Sequence, residues 1–393
     1  MGLFSFSSSK EVSLIVDIGS SSVGASLVSI PKIDTEPPTI IGSIRTPLEF
    51  QEKLRFDRFI SLMLDALEIA ISNLIKNYKV EPKKIHCFVA SPWYASRVRK
   101  AILKRDKDFV FDEEILKNIL TEETKLFEKE EVATYERLKE QTFFLEKKVI
   151  DVMLNGYHVD NPIGVTTKSA ELTLFLSIAP EYIIKKIEER IKKIIPSKIP
   201  SFHTFLLPFF LAIRDIFKDK KDFILMDIGG EITDITLIKN SVIKESISFP
   251  LGRNFIFRRG SEVLKKPREE IRSLLALGSQ GKLDQNIKEK LLRSLLPVKQ
   301  EWLSMLHESL STLATRGIIP NDIFLATDSD VIKWFTDAIT SEEYVQYHLS
   351  TDKFIVTPVN MPIISKHILF DTIDRDQFMA LEAIYLGKYH TKI

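Results

Sequence analysis

A single cysteine, Cys87, stands in the 393 residues, so no intramolecular disulfide framework exists and the chain suits a reducing compartment. Cys87 lies in the apolar run IHCFVA, which reads as a buried strand thiol and not as a nucleophile. Charge of one sign is equally lacking: 55 Lys and Arg against 54 Asp and Glu leave a net charge of +1. That balance gives no global attraction to nucleic acid or anionic lipid. No window reaches the roughly 20 apolar residues of a spanning helix. The most apolar stretch, Phe202–Ile213, is short and holds Pro208, which reads as a core helix. The opening MGLFSFSSSK lacks the basic start and cleavage pattern of a signal peptide. Residues 1–10 are therefore expected to be disordered and the chain cytoplasmic. No low-complexity segment interrupts the sequence.

What remains is a globular composition, 44% hydrophobic and 28% charged, long enough for two or three domains. Its informative stretch is Phe223–Lys239, FILMDIGGEITDITLIK. Apolar Phe223–Met226 suits a buried strand, Asp227 and the Gly229–Gly230 pair interrupt it, and Ile232, Ile235 and Leu237 begin a second strand. This is a β-hairpin with a carboxylate at its mouth and glycines in its turn. Such glycines let backbone N–H groups approach an anion, and such a carboxylate can hold a metal-bound water. Leu14–Val28, LIVDIGSSSVGASLV, repeats the design with Asp17, Gly19 and the small polar Ser20, Ser21 and Ser22, about 210 residues earlier. Two such hairpins suggest a phosphate held between related halves. Taken singly, each aspartate reads better as a turn cap than as a ligand-site residue.

Around the hairpins the chain alternates strands and helices. Ile40–Arg45 reads as a strand, and Phe59, Ile60, Met63, Leu64, Leu67, Ile71 and Leu74 mark an amphipathic helix before strand Ile85–Ala90. From about Pro92 the character changes. Asp112–Glu146 reads as a charged helix, Val149–Leu154 and Glu171–Ile178 as strands, and Ile183, Ile184, Ile187, Ile191 and Ile194 as a helix stripe. Gly252–Trp302 is helical and charged, with Pro267 near a helix start and with Arg253, Arg258 and Arg259 on what reads as a solvated face.

The hairpin pair resembles the phosphate motifs of the actin, Hsp70 and sugar-kinase superfamily. Tyr157–Leu172, with its Asn161–Pro162–Ile163–Gly164 segment, resembles the branch containing the cell-division actin FtsA and the type IV pilus assembly protein PilM. The resemblance runs from the first hairpin to the closing FMALEAIYLG. It implies an α/β, two-lobed actin-like (ribonuclease H-like) fold with an inserted small α+β (SHS2-type) domain. The first lobe is expected at 11–91 and 181–222, the insertion at 92–180, the second lobe at 223–251 and 317–393, and a helical subdomain at 252–316.

The resemblance further implies a site for ATP and Mg²⁺ between the lobes. Phosphate contacts fall on Asp17, Gly19, Ser20, Ser21 and Ser22, and on Asp227, Gly229, Gly230, Thr233 and Asp234. Asp17 and Asp227 would orient Mg²⁺-bound waters, and the adenosine region falls on Thr327, Asp328, Ser329 and Asp330. Three departures stand against an efficient ATPase. Glu231 replaces a small turn residue, Asp328 and Asp330 replace an adenosine-binding glycine cluster, and Leu206–Phe210 offers no residue to position water. Hydrolysis is therefore expected to be slow or absent. Two roles follow from the branch. One is a division scaffold that self-assembles into filaments or dimers and meets an FtsZ-like tail. The other is a pilus adaptor that grips a short peptide of an inner-membrane protein. Both sit at the inner face of the membrane through partners, without a transmembrane segment or nucleic acid.

Overall fold

A computed structural model describes residues 11–31, 36–135, 141–315, 317–344 and 353–389; the expected disordered segment 1–10 lies outside them. The chain begins with β1 (Glu11–Ile18), β2 (Ser22–Ile30), β3 (Thr39–Pro47), α1 (Phe56–Tyr78) and β4 (Lys84–Val89). It continues with β5 (Ala95–Phe111), α2 (Glu113–Tyr135), β6 (Thr142–Leu154), β7 (Tyr157–His158) and β8 (Val165–Pro180). Next come α3 (Glu181–Ile194), β9 (Ser201–Thr204) and α4 (Leu206–Ile216). The second half holds β10 (Phe223–Ile228), β11 (Thr233–Lys239), β12 (Val242–Phe249), the helices α5 (Arg253–Leu264), α6 (Arg268–Ser279), α7 (Gln285–Ser294) and α8 (Leu296–Ala314), and β13 (Asp322–Thr327). It closes with α9 (Ile332–Thr340), β14 (Ile355–Pro358), α10 (Met361–Ile364), β15 (Leu369–Phe370) and α11 (Gln377–Lys388).

Two sheets repeat one topology. In the first, the order is β15-β3-β2-β1-β4-β9; in the second, β12-β11-β10-β13-β14. In each, three antiparallel strands are followed by two parallel ones, and the first sheet adds β15 parallel to the outer edge of β3. The period-2 alternation of a strand then decides what each face meets. Leu14, Val16 and Ile18 of β1 pack outward under α1 and α3, whereas Ile15 points to the other face. Ile224, Met226 and Ile228 of β10 likewise join the core under α5–α9, while Phe223 and Leu225 face inward. Between the inward faces lie α4 and α11, which pack on each other and are buried almost all round. Asp17 and Asp227, one step beyond Ile15 and Leu225, therefore open onto the space between the lobes.

A third sheet, in the order β5-β8-β6-β7, carries α2 and its own core of Phe109, Phe111, Phe127, Leu154, Leu172, Leu174 and Leu176. Two sequence expectations are corrected. Residues 142–146 begin strand β6 and do not continue the charged helix. The end of the chain, expected in the second lobe, turns back: β15 pairs with β3, and α11 packs on β1 and β2. An α11 that is apolar on every side must be covered by both lobes, and the seam between them is where that cover exists. Among the described residues, no helix is long and apolar enough to cross a membrane.

Candidate functional site

The two hairpin turns are built alike. Gly19 N–H donates to the Ser22 carbonyl at 3.1 Å, and Gly229 N–H donates to the Ile232 carbonyl at 2.9 Å. They also touch, because Glu231 N–H donates to Ser20 Oγ at 3.0 Å. A Cβ on Gly230 would lie 2.6 Å from the Ser21 Cβ and 2.8 Å from the Ser20 carbonyl, so glycine permits this approach. Asp17, Gly19, Ser20, Ser21, Ser22, Asp227, Gly229, Gly230, Asp234 and Asp328 line one cleft. That cleft encloses about 40 Å³, room for a water or two, against roughly 300–1,000 Å³ for a small-molecule site.

Thr233, Thr327, Ser329 and Asp330 do not join the lining. The Thr233 hydroxyl donates to the Leu251 carbonyl, and the Thr327 hydroxyl to the Ile228 carbonyl, both as interior braces. Ser329 is exposed. Asp330 pairs with Arg272 at 2.8 Å and with Arg253 at 3.5 Å.

The cleft's own side chains supply its counter-charges. Arg45 Nη2 reaches Asp17 at 2.5 Å, its Nε reaches Asp376 at 2.5 Å, and its Nη1 donates to Ser22 Oγ at 2.9 Å. Asp376 also caps α11, accepting from the N–H groups of Phe378 and Met379. Burial acts upward on Asp376, but Arg45 and those N–H groups outweigh it and hold its carboxyl below the ordinary value. At Asp17 burial prevails over Arg45 and raises the carboxyl. Glu382 of α11, fully buried, is pushed well up by burial and by the charge of Asp17. One guanidinium thus stands among three carboxyls, of which Glu382 is pushed well up and Asp376 is held down.

In the second lobe Arg253 pairs with Asp328, and Arg258 pairs with Glu231, which also accepts from Asn254 Nδ2 at 2.8 Å. Only Arg259, bound to Glu262 and Glu301 at the surface, occupies the solvated position expected of all three arginines. The N-terminal donors of α5, which a phosphate would use, are already spent. Gly252, Arg253 and Asn254 N–H donate to the carbonyls of Glu231, Gly229 and Gly230 at 3.0, 2.9 and 2.8 Å. Asp227 differs from Asp17. It stands opposite Asp234 in the β10–β11 register, and among the described residues no basic side chain pairs with it. Burial, then Asp234, Asp17 and Asp328, raise Asp227 well above its ordinary value. Burial raises Asp234 to about 6, against hydroxyl bonds from Ser248 and Ser91.

These residues fit a nucleotide with Mg²⁺ poorly. The turns are in contact, Asp17 is engaged by Arg45, and the expected adenosine residues Asp328 and Asp330 are tied up by Arg253 and Arg272. Among the described residues no group of three or more His, Cys, Asp or Glu is arranged to hold a metal ion. Arg45, Asp376 and Glu382 escaped the sequence reading. Only Glu382 left a trace there, as the lone acid in the apolar run FMALEAIYLG.

No protein family and no curated protein matches the chain. Solved structures do. It is similar to a chain of the PilM-PilN type IV pilus biogenesis complex, with a TM-score of 0.59 and 14% identity over 95% of this chain and 96% of that one. It also matches a Bacteroides thetaiotaomicron protein of actin-like ATPase fold and unknown function (TM-score 0.41, 9% identity, 97% and 99% covered). The ethanolamine utilization protein EutJ from Carboxydothermus hydrogenoformans follows (TM-score 0.38, 10% identity, 96% and 89% covered). The fold of this chain is the two-lobed actin-like fold.

Proposed function

We propose that this chain is a non-catalytic actin-fold adaptor that grips a short peptide of an inner-membrane protein at the cytoplasmic face, in the manner of PilM. The observation that carries the reading is the self-filled cleft. Three arginines and the contact between turns occupy what a nucleotide would need, so the fold serves as a rigid framework. The likeness to PilM, spanning nearly the whole of both chains, supports the pilus setting. ATP, if met at all, binds weakly and is not turned over.

Calorimetry tests this with Mg-ATP in one arm. The other arm uses synthetic peptides copying PilN, the partner named in the similar PilM-PilN complex. Saturable peptide binding with no ATP heat is the expected outcome. Micromolar ATP affinity, with phosphate release abolished by Asp17→Ala or Asp227→Ala, overturns the reading. A second reading, an FtsA-like division scaffold, draws on the Asn161–Gly164 segment and on Tyr157, 77% exposed at the end of the inserted sheet. Electron microscopy at high protein concentration on lipid separates the two, since head-to-tail contacts propagate into filaments.

A further inference from the structure

The connection between β3 and α1 is a short strap, residues 48–55, which leaves the first lobe and lands on the second. Its start is tied to the first turn, Leu48 N–H donating to the Ser21 carbonyl at 2.9 Å. Phe50 then packs against the core of the second lobe. The Arg268 guanidinium lies 4.2 Å from the Phe50 ring centroid, and that of Arg258 lies 5.5 Å away. Gln51 is buried, and its carbonyl accepts from Arg258 Nη1 at 3.2 Å. Arg258 also holds Glu231, whose N–H is bonded to Ser20 of the first lobe. One arginine thus joins the strap to the contact between turns.

We propose that the strap is an intramolecular latch: Phe50, Gln51 and Arg258 hold the lobes shut over the cleft, in the role a bound ligand would otherwise fill. The inference rests on the self-filled cleft and not on the identity of any partner. Arg258 meets three groups at once, the Phe50 ring, the Gln51 carbonyl and the Glu231 carboxylate, so its loss frees both strap and turn. Loss of Phe50 removes the apolar anchor and the cation–π contacts, which strengthen as they are desolvated. Beside the strap lies an open cavity of about 560 Å³, lined by Glu49, Phe50, Glu52, Arg258 and Lys266 among others. The strap therefore has room to swing out on that side once Phe50 leaves its place against the second lobe's core.

Pulsed electron-spin distance measurement reads the latch directly. Spin labels at Ser61→Cys on α1 and Lys290→Cys on α7 report the separation of the lobes, and buried Cys87 stays unlabelled. The expected result is one narrow distance for the otherwise unaltered protein, unchanged by Mg-ATP. Phe50→Ala and Arg258→Gln should each add a second, longer distance. Rapid hydrogen exchange at Gly229–Glu231 in the same variants should accompany it. Distances and exchange that stay the same in both variants overturn the latch, whatever the peptide experiment gives. A shift on adding Mg-ATP to the unaltered protein overturns the self-filled cleft as well. Phe50→Leu, which keeps an apolar anchor but no ring, should give an intermediate fraction of the longer distance.

Discussion

The two lobes carry the same three-strand row at the mouth of the cleft and fill it in opposite ways. Across the first sheet the register aligns Asp17, Gly24 and Arg45; across the second it aligns Asp227, Asp234 and Ser248. In the first lobe the middle position is a glycine, and Arg45 crosses over it to reach Asp17. In the second the middle position is itself an acid, and Ser248 bonds that acid. One half of the floor is thereby a compensated ion cluster. The other is a carboxyl pair in which hydroxyls hold Asp234. The backbone of a duplicated hairpin thus fixes where side chains point, while a single residue on the middle strand decides whether charge is matched there.

Removing the cation should break the contrast most forcefully. Arg45→Met leaves buried Asp17 and half-buried Asp376 without their partner, a change costing roughly 3 kcal/mol given that Arg45 is itself partly exposed. Urea denaturation at pH 7 should show the loss. An Arg253→Met loss of equal size would erase the distinction between the halves, because Arg253 serves Asp328 and Asp330 at the rim and not the floor.

A smaller effect is expected from the middle strand. A Cβ on Gly24 would lie 2.9 Å from Arg45 Nη2 and 2.9 Å from Met379 Sδ. Both are ends of flexible side chains, so they give way, and Gly24→Ala should cost about 1–2 kcal/mol. A crystal structure of the variant should show the guanidinium displaced from Asp17. If Arg45 stays in place and the stability is unchanged, the glycine is not what admits it.

Much of this was legible in the sequence, and the boundary follows sequence distance. The hairpins announced themselves through Asp-Ile-Gly, and helices such as α1 through apolar residues at three- and four-residue steps. Strand β5 did not, because Arg97, Arg99, Lys100, Lys104, Arg105 and Lys107 obscure its alternation and only Ala101, Phe109 and Phe111 are buried. Nor did the pairing of Arg45 with Asp376, whose partners stand 331 residues apart. Acids that look free in a sequence acquire their cations only through topology. For this reason Asp17 and Asp227 read alike on the page and differ in the folded chain.

The finest test is the uncompensated pair. Asp227 and Asp234 face each other with both residues half-buried, Asp227 raised well above its ordinary value and Asp234 to about 6. A carboxyl raised in the folded state keeps a proton that the unfolded chain releases near pH 4. Over that interval the folded state binds more protons, so stability falls as pH rises, the reverse of a salt-bridged aspartate. Asp227→Asn removes one of the two titrations and the repulsion between the two carboxyls. It should therefore match the unaltered protein near pH 4 and exceed its stability increasingly as pH rises from there to 7. Urea midpoints at half-unit intervals of pH measure the divergence. A loss of stability at pH 7 would mean that some cation does reach Asp227, and the second half of the floor would then be matched like the first.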